Sequence, residues 1–147
     1  MDIHKTSQRF RRKILDVIKS TGKGHIGGAF SAIDLMTQLY FNFIDYELIH
    51  SKDKNRDRFI LSKGHAAIAQ YVILQDLGFI SESDLYNMNL GGILGEHPDS
   101  NIPGIEVDTG SLGHGLGLAC GMAYAAKLDN LSYSTYVLLG DGECYEG

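Results

Sequence analysis

Apolar positions along the chain follow two rhythms. After Ser7, the residues Phe10, Ile14, Val17 and Ile18 recur at three- and four-residue intervals, the stripe of an amphipathic helix that Gly22 closes. Ser31-Ala-Ile-Asp34 reads as a capping-box-like start, and Leu35, Met36, Leu39, Tyr40, Phe41 and Phe43 then clothe most of a helix surface, so that this helix is predicted to be buried on several sides. A polar loop over 51–57 gives way to a short strand, Arg58 to Leu61, leading into Ser62-Lys-Gly-His65. Ala66 to Leu77 returns to helix, with Ile68, Tyr71, Val72 and Leu74 for packing and Gly78 as its stop. Ser81-Glu-Ser-Asp84 starts a short helix.

From Gly91 to Thr109 the pattern is aperiodic, with turns at Gly-Gly, His97-Pro98-Asp99 and Pro103-Gly104; a loop of this length is functional or disordered. Leu118 to Leu128 is a small-residue helix suited to close packing. Tyr136 to Leu139 reads as a buried parallel strand that breaks at Gly140-Asp141-Gly142. Helices alternating with short strands predict an α/β fold, an open parallel sheet flanked by helices, over one domain of 147 residues.

Charge and composition narrow the ligand. The formal net charge of −5 argues against a nucleic-acid groove, so an anionic ligand would need help from a metal or a dipole. The one basic cluster, Arg9, Arg11, Arg12 and Lys13, is expected to be a solvated helix face. No signal core and no stretch of membrane length is evident, which predicts a cytoplasmic protein with no membrane partner. Cys120, within the small-residue helix, is expected to be a buried small hydrophobe; Cys144 lies in the terminal motif, and neither has metal-ligand spacing.

Candidate chemistry sits where the predicted strands and helices break. At the end of the last strand, Gly140 and Gly142 let backbone approach a phosphate, while Asp141 can hold a divalent cation; the same residues also suit a simple turn with Asp141 as a helix cap. His25, between glycines in Lys23-Gly-His-Ile-Gly-Gly28, reads equally as a donor held against a ligand and as a surface loop residue. His65 follows a strand end, and His97 occupies the long loop.

Four segments in order, GKGHIGGAFSAIDLM (22–36), DRFILSKGHA (57–66), GEHPDSNIPGIEVDTGSLGHGLGLACGMA (95–123) and YVLLGDGECYEG (136–147), make the chain resemble the amino-terminal, diphosphate-binding part of a transketolase, especially the split type divided between two polypeptides. The resemblance implies a cofactor, thiamine diphosphate with Mg²⁺ or Ca²⁺, and transfer of a two-carbon ketol unit from a ketose to an aldose. It implies that Asp141 binds the metal and that Gly140 and Gly142 face the diphosphate. His25, His65 and His97 match the histidines around the cofactor's reactive carbon, which contact the diphosphate or the donor's hydroxyls. Gly110 matches a backbone contact to the aminopyrimidine, Leu112 an apolar contact to the thiazolium, and Glu146 an acidic position near the subunit interface.

Three points depart from the family pattern. His114 stands where many members have glutamine, a change expected to shift substrate or subfamily, since both side chains donate hydrogen bonds. The family's asparagine metal ligand lies downstream of the aspartate-glycine turn, and its pyrimidine-binding domain is absent, so residues 1–147 are expected to be the amino-terminal piece of a longer subunit. Such a piece would need a carboxy-terminal pyrimidine-domain subunit, in a dimer of such pairs, and would act on sugar phosphates. Two other readings stay open: another thiamine diphosphate enzyme, such as a deoxyxylulose-phosphate synthase-like protein, or a shortened, non-catalytic partner-binding relative. His4 and His50 match no motif and are expected at the surface.

Overall fold

The computed structural model describes residues 2–146, so Gly147 of the terminal motif lies outside the described residues. Helix α1 (Ile3–Thr21) starts earlier than the apolar stripe implies, because Asp2 caps it by accepting the Lys5 N–H, and Gly22 ends it in a left-handed conformation with φ 71°. Helix α2 (Ile26–Asn42) begins five residues before Ser31. Rather than capping, the Ser31 hydroxyl folds back onto the Gly28 carbonyl at 2.9 Å, inside a helix already formed. The short helix α3 (Tyr46–His50) carries the chain to strand β1 (Arg58–Leu61), which falls on the residues the pattern indicates.

After β1 a single 3₁₀ turn, Gly64–Ala66, leads into α4 (Ala67–Asp76), and Ser81 caps α5 (Glu82–Tyr86) with the reciprocal capping box expected from its sequence. Helix α6 (His114–Leu128) starts four residues before Leu118, and β2 (Thr135–Leu138) is followed by a second 3₁₀ turn, Gly142–Tyr145.

β1 and β2 pair in parallel, Arg58 opposite Thr135 through Leu61 opposite Leu138. Alternate residues of β1 face opposite sides. Phe59 and Leu61 join the core with α2 and α4, and the Phe59 ring meets Tyr40 edge-on at 5.3 Å. Ile60, also buried, points the other way with Ser62, against which α6 packs so closely that a β-carbon on Gly115 would lie 2.5 Å from that of Ser62. β2 is half-buried along its length rather than fully buried.

Helices α1, α2 and α4 form the main core around Phe10, Ile14, Ile33, Met36, Tyr40 and Tyr71, each buried, and each such side chain contributes about 1.5–3 kcal/mol. The basic cluster on α1 lies at the surface as expected, with Arg9 and Arg12 exposed, but three of its four cations are also paired. Arg9 grips Asp76 of α4, Arg11 forms a two-pronged pair with Asp34 of α2 at 2.7 Å, and Lys13 reaches Glu82 of α5 at 3.0 Å. These ions pin α1 to its three neighbours, which no local pattern reveals. Cys120, expected in the core, is exposed, because the apolar side of α6 runs through Gly115, Ala119 and Ala126 instead; Cys144 is exposed too. His4 and His50 lie at the surface, where the His50 ring stacks on Phe79 at 3.7 Å.

Candidate functional site

Backbone turns gather at the carboxyl ends of both strands. The Leu138 carbonyl accepts the N–H groups of Ser62 at 3.0 Å and Lys63 at 3.4 Å, so the two chains leave the sheet side by side. Two groups of residues are built on that junction.

The first is imidazole-rich. His25 immediately precedes α2 without capping it, and its ring meets that of His65 edge-on at 5.7 Å and 81°. The first turn of α2 makes this possible, since a β-carbon on Gly28 would sit 2.7 Å from His65 Cδ2. Behind His65, Gly64 lies against the Thr109-Gly110 backbone, and Gly110, with φ 150°, packs on the third imidazole: a β-carbon there would be 3.2 Å from His97 Cδ2. The loop holding His97 is anchored from the core, where the buried Tyr71 donates its hydroxyl to the His97 carbonyl at 2.7 Å. His25, His65, His97 and Gly110 are therefore brought together from parts of the chain that no local pattern connects.

Electrostatics favours neutral rings here. Burial pushes the His65 imidazole below its ordinary acidity range, the nearby Lys63 ammonium and His25 act the same way, Glu143 opposes them, and His97 adds a further lowering effect. A neutral imidazole at pH 7 both donates and accepts. Lys63, only 9% exposed, turns its ammonium to the Ser31 hydroxyl at 2.9 Å.

The second group is carboxylate-rich. Gly140 and Asp141 follow β2, and Asp141 is exposed at the head of the 142–145 turn, its side chain free of any capping bond. Space beside Gly142 is open. Leu112 is 43% exposed on the segment between Gly110 and α6. Glu146 is exposed and packs beside the start of α6, where a β-carbon on Gly113 would lie 2.9 Å from its own. His114, the first residue of α6, opens onto a groove of about 550 Å³ shared with Leu116, Leu139, Cys144 and Glu146. Among the described residues, no three His, Cys, Asp or Glu side chains converge closely enough to enclose a metal by themselves.

Glu143 joins the two groups, and no motif in the sequence points to it. It is buried, accepting from Ser62 after β1, Gly113 before α6 and Gly140 after β2. Burial alone would raise its pKa, but the two amides, the hydroxyl and the nearby His65 together hold it below the ordinary carboxyl range. The one sequence signal is a third acid in the strand-end turn, and the turn does not say which acid goes inside.

The family described as transketolase, thiamine diphosphate binding domain, matches residues 4–147. The chain belongs to the transketolase family. An apulose-4-phosphate transketolase subunit from Phocaeicola vulgatus is 45% identical over 142 residues, 96% of this chain and 50% of that protein. Human transketolase-like protein 2 is 42% identical over 144 residues, 97% of this chain and 23% of that protein. Among solved structures, transketolase from Leishmania mexicana superposes with a TM-score of 0.88 at 29% identity, covering 100% of this chain and 24% of that one. This transketolase domain thus spans half the length of the Phocaeicola relative and about a quarter of the longer ones.

The donor set of the transketolase domain fits the family's cofactor. Thr109 Oγ1 is buried beside Gly64 without a hydrogen-bond partner, an unmet polar group in the glycine seam, and the Gly140 to Gly142 turn leaves room for a phosphate next to an exposed carboxylate. No helix among the described residues is long and apolar enough to cross a membrane.

Proposed function

We propose that this domain is the diphosphate-binding half of a thiamine diphosphate-dependent enzyme that moves a two-carbon ketol unit from a ketose phosphate to an aldose phosphate. The observation that carries the reading is the meeting of His25, His65, His97 and Gly110 on the strand-end junction that Ser62 and Glu143 tie to the turn bearing Asp141. Thiamine diphosphate, when bound, supplies the carbanion chemistry that protein side chains lack. The chain's own residues bind, orient and move protons.

Asp141 would hold Mg²⁺ or Ca²⁺ at the diphosphate, a role suited to an exposed carboxylate and a hard cation. The Gly140 and Gly142 backbone would lie against the phosphates, Gly110 against the aminopyrimidine and Leu112 against the thiazolium, with Glu146 at the subunit boundary. His25, His65 and His97 would hold the donor's hydroxyls and exchange protons with them; neutral rings, as the surroundings of His65 favour, can take a proton in one half-reaction and return it in the next. An acidic domain would bind an anionic cofactor through the cation rather than through a basic groove.

A pyrimidine-domain subunit would complete the site, in a dimer of such pairs and in the cytoplasm; the 45% identity to a Phocaeicola protein that is itself one transketolase subunit supports a two-chain arrangement. The test is reconstitution of the full polypeptide with that partner, thiamine diphosphate and Mg²⁺, supplied with a ketose phosphate and an aldose phosphate. Ketol transfer abolished by Asp141→Asn is the expected result. Turnover of pyruvate instead would assign a synthase-type reaction, and cofactor-independent partner binding without turnover would assign a non-catalytic role.

A further inference from the structure

Among the described residues Glu143 is the one buried carboxylate of the site, and the cofactor reading gives it no part. It is 4% exposed. Its Oε1 accepts the Ser62 hydroxyl at 2.8 Å and the Gly113 N–H at 3.0 Å, and its Oε2 accepts the Gly140 N–H at 2.7 Å. Those donors belong to the exit of β1, the entrance of α6 and the exit of β2. A buried charge is expensive to desolvate, so the filling of space does not by itself explain a carboxylate here. What a carboxylate adds is directed acceptance by two oxygens at once.

We propose that Glu143 is the positioning residue for cofactor capture, setting the Gly140 turn, and with it Asp141, in register with the β1 exit that carries His65. It acts through backbone rather than by touching the cofactor. The Gly140 N–H is held one residue before Asp141, and Ser62 is held three residues before His65, so a single side chain fixes the spacing between the cation-binding carboxylate and the imidazoles. Gly113, the left-handed residue before α6, is tied to the same oxygen as Ser62, which aligns the Gly110 to Leu112 segment with both. The inference rests on the thiamine diphosphate reading of the site.

The two can be separated by calorimetric titration of the full polypeptide, assembled with its partner, with thiamine diphosphate in the presence of Mg²⁺. Binding by the unaltered protein and its loss in Asp141→Asn test the reading; a protein that takes up no cofactor overturns that reading. Glu143→Gln tests the inference, because glutamine keeps one acceptor oxygen but turns an NH₂ toward the Gly140 N–H. The expected result is a dissociation constant raised about tenfold or more, the loss of one charge-assisted bond that orders the site. Ser62→Ala, which removes an atom and creates no clash, is expected to raise it about threefold. Tyr40→Phe, which removes the hydroxyl that accepts from buried Gln70 between α2 and α4 and touches none of the three donors to Glu143, is the control for general destabilisation.

Affinity should fall in the Glu143 and Ser62 variants and hold in Tyr40→Phe, even where the cofactor-free melting temperatures fall equally. Dissociation constants within about twofold of the unaltered protein in Glu143→Gln, or in Ser62→Ala if the former does not fold, would overturn the proposal. So would an equal loss of affinity in Tyr40→Phe.

Discussion

The imidazole of His65 stands edge-on to that of His25, ring centres 5.7 Å apart, and the missing side chain of Gly28 is what lets His65 occupy that place. Gly28→Ala sets two effects against each other. Alanine in a helix is favoured over glycine by about 1 kcal/mol, whereas its methyl group would enter the space of the His65 ring. The melting temperature is expected to change by no more than a few degrees, while, on the function proposed above, ketol transfer by the full polypeptide with its partner drops about tenfold or more. Calorimetry and steady-state rates on the same preparation check it.

His65 also carries a pH signature. Its folded-state pKa lies below the ordinary value of 6.5, first because of burial and then because of Lys63 and His25. The unfolded chain therefore binds the proton more readily than the folded one. The stability contributed by the neutral ring is complete above pH 6.5 and is lost as pH falls from there through the folded value. NMR titration should give a midpoint below 6.5, and His65→Gln should flatten the corresponding slope of denaturation midpoint against pH.

Tyr71→Phe probes the tether of the long loop. Removing the hydroxyl that donates to the His97 carbonyl at 2.7 Å should cost about 1 kcal/mol by urea denaturation. Because that bond ties the 91–109 segment to the core, limited proteolysis there should accelerate more than cleavage elsewhere.

Glu106 holds two cations at once: Arg56 by a two-pronged contact at 2.9 and 3.0 Å, and Arg58 at 3.6 Å, itself stacked 4.3 Å from the Tyr133 ring centre. Glu106→Ala would leave the shielded Arg58 guanidinium without its counter-charge. The expected loss is about 2 kcal/mol, below the figure for a fully buried pair because Arg56 remains partly in water. The change should appear in the denaturation midpoint and not in cofactor affinity.

Much of the architecture is legible in the pattern of residues, and the failures share a cause. The pattern places β1 residue for residue because a short apolar run between a polar loop and a small-residue turn admits few alternatives. It starts α2 and α6 too late, since Gly27, Gly28, Gly115 and Gly117 read as loop, yet all four are helical, and at Gly28 and Gly115 the helices approach His65 and Ser62. The α1 cations look solvated in sequence because their partners on α2, α4 and α5 are remote along the chain. The meeting of three imidazoles is implied only by family resemblance, and the role of Glu143 by nothing, since its three donors come from three separate turns.

The parallel pairing of β1 with β2 also dictates an order of events in time. Arg58 cannot meet Thr135, 77 positions further on, until the chain up to it has been made and folded back, whereas α1, α2 and α4 contact one another through the first half of the chain. Closing so long a loop slows the last step of folding. A nascent chain would thus collapse its helical half early and seat β2 late. The strand-end junction would be the final part assembled and, in hydrogen exchange, among the first to open.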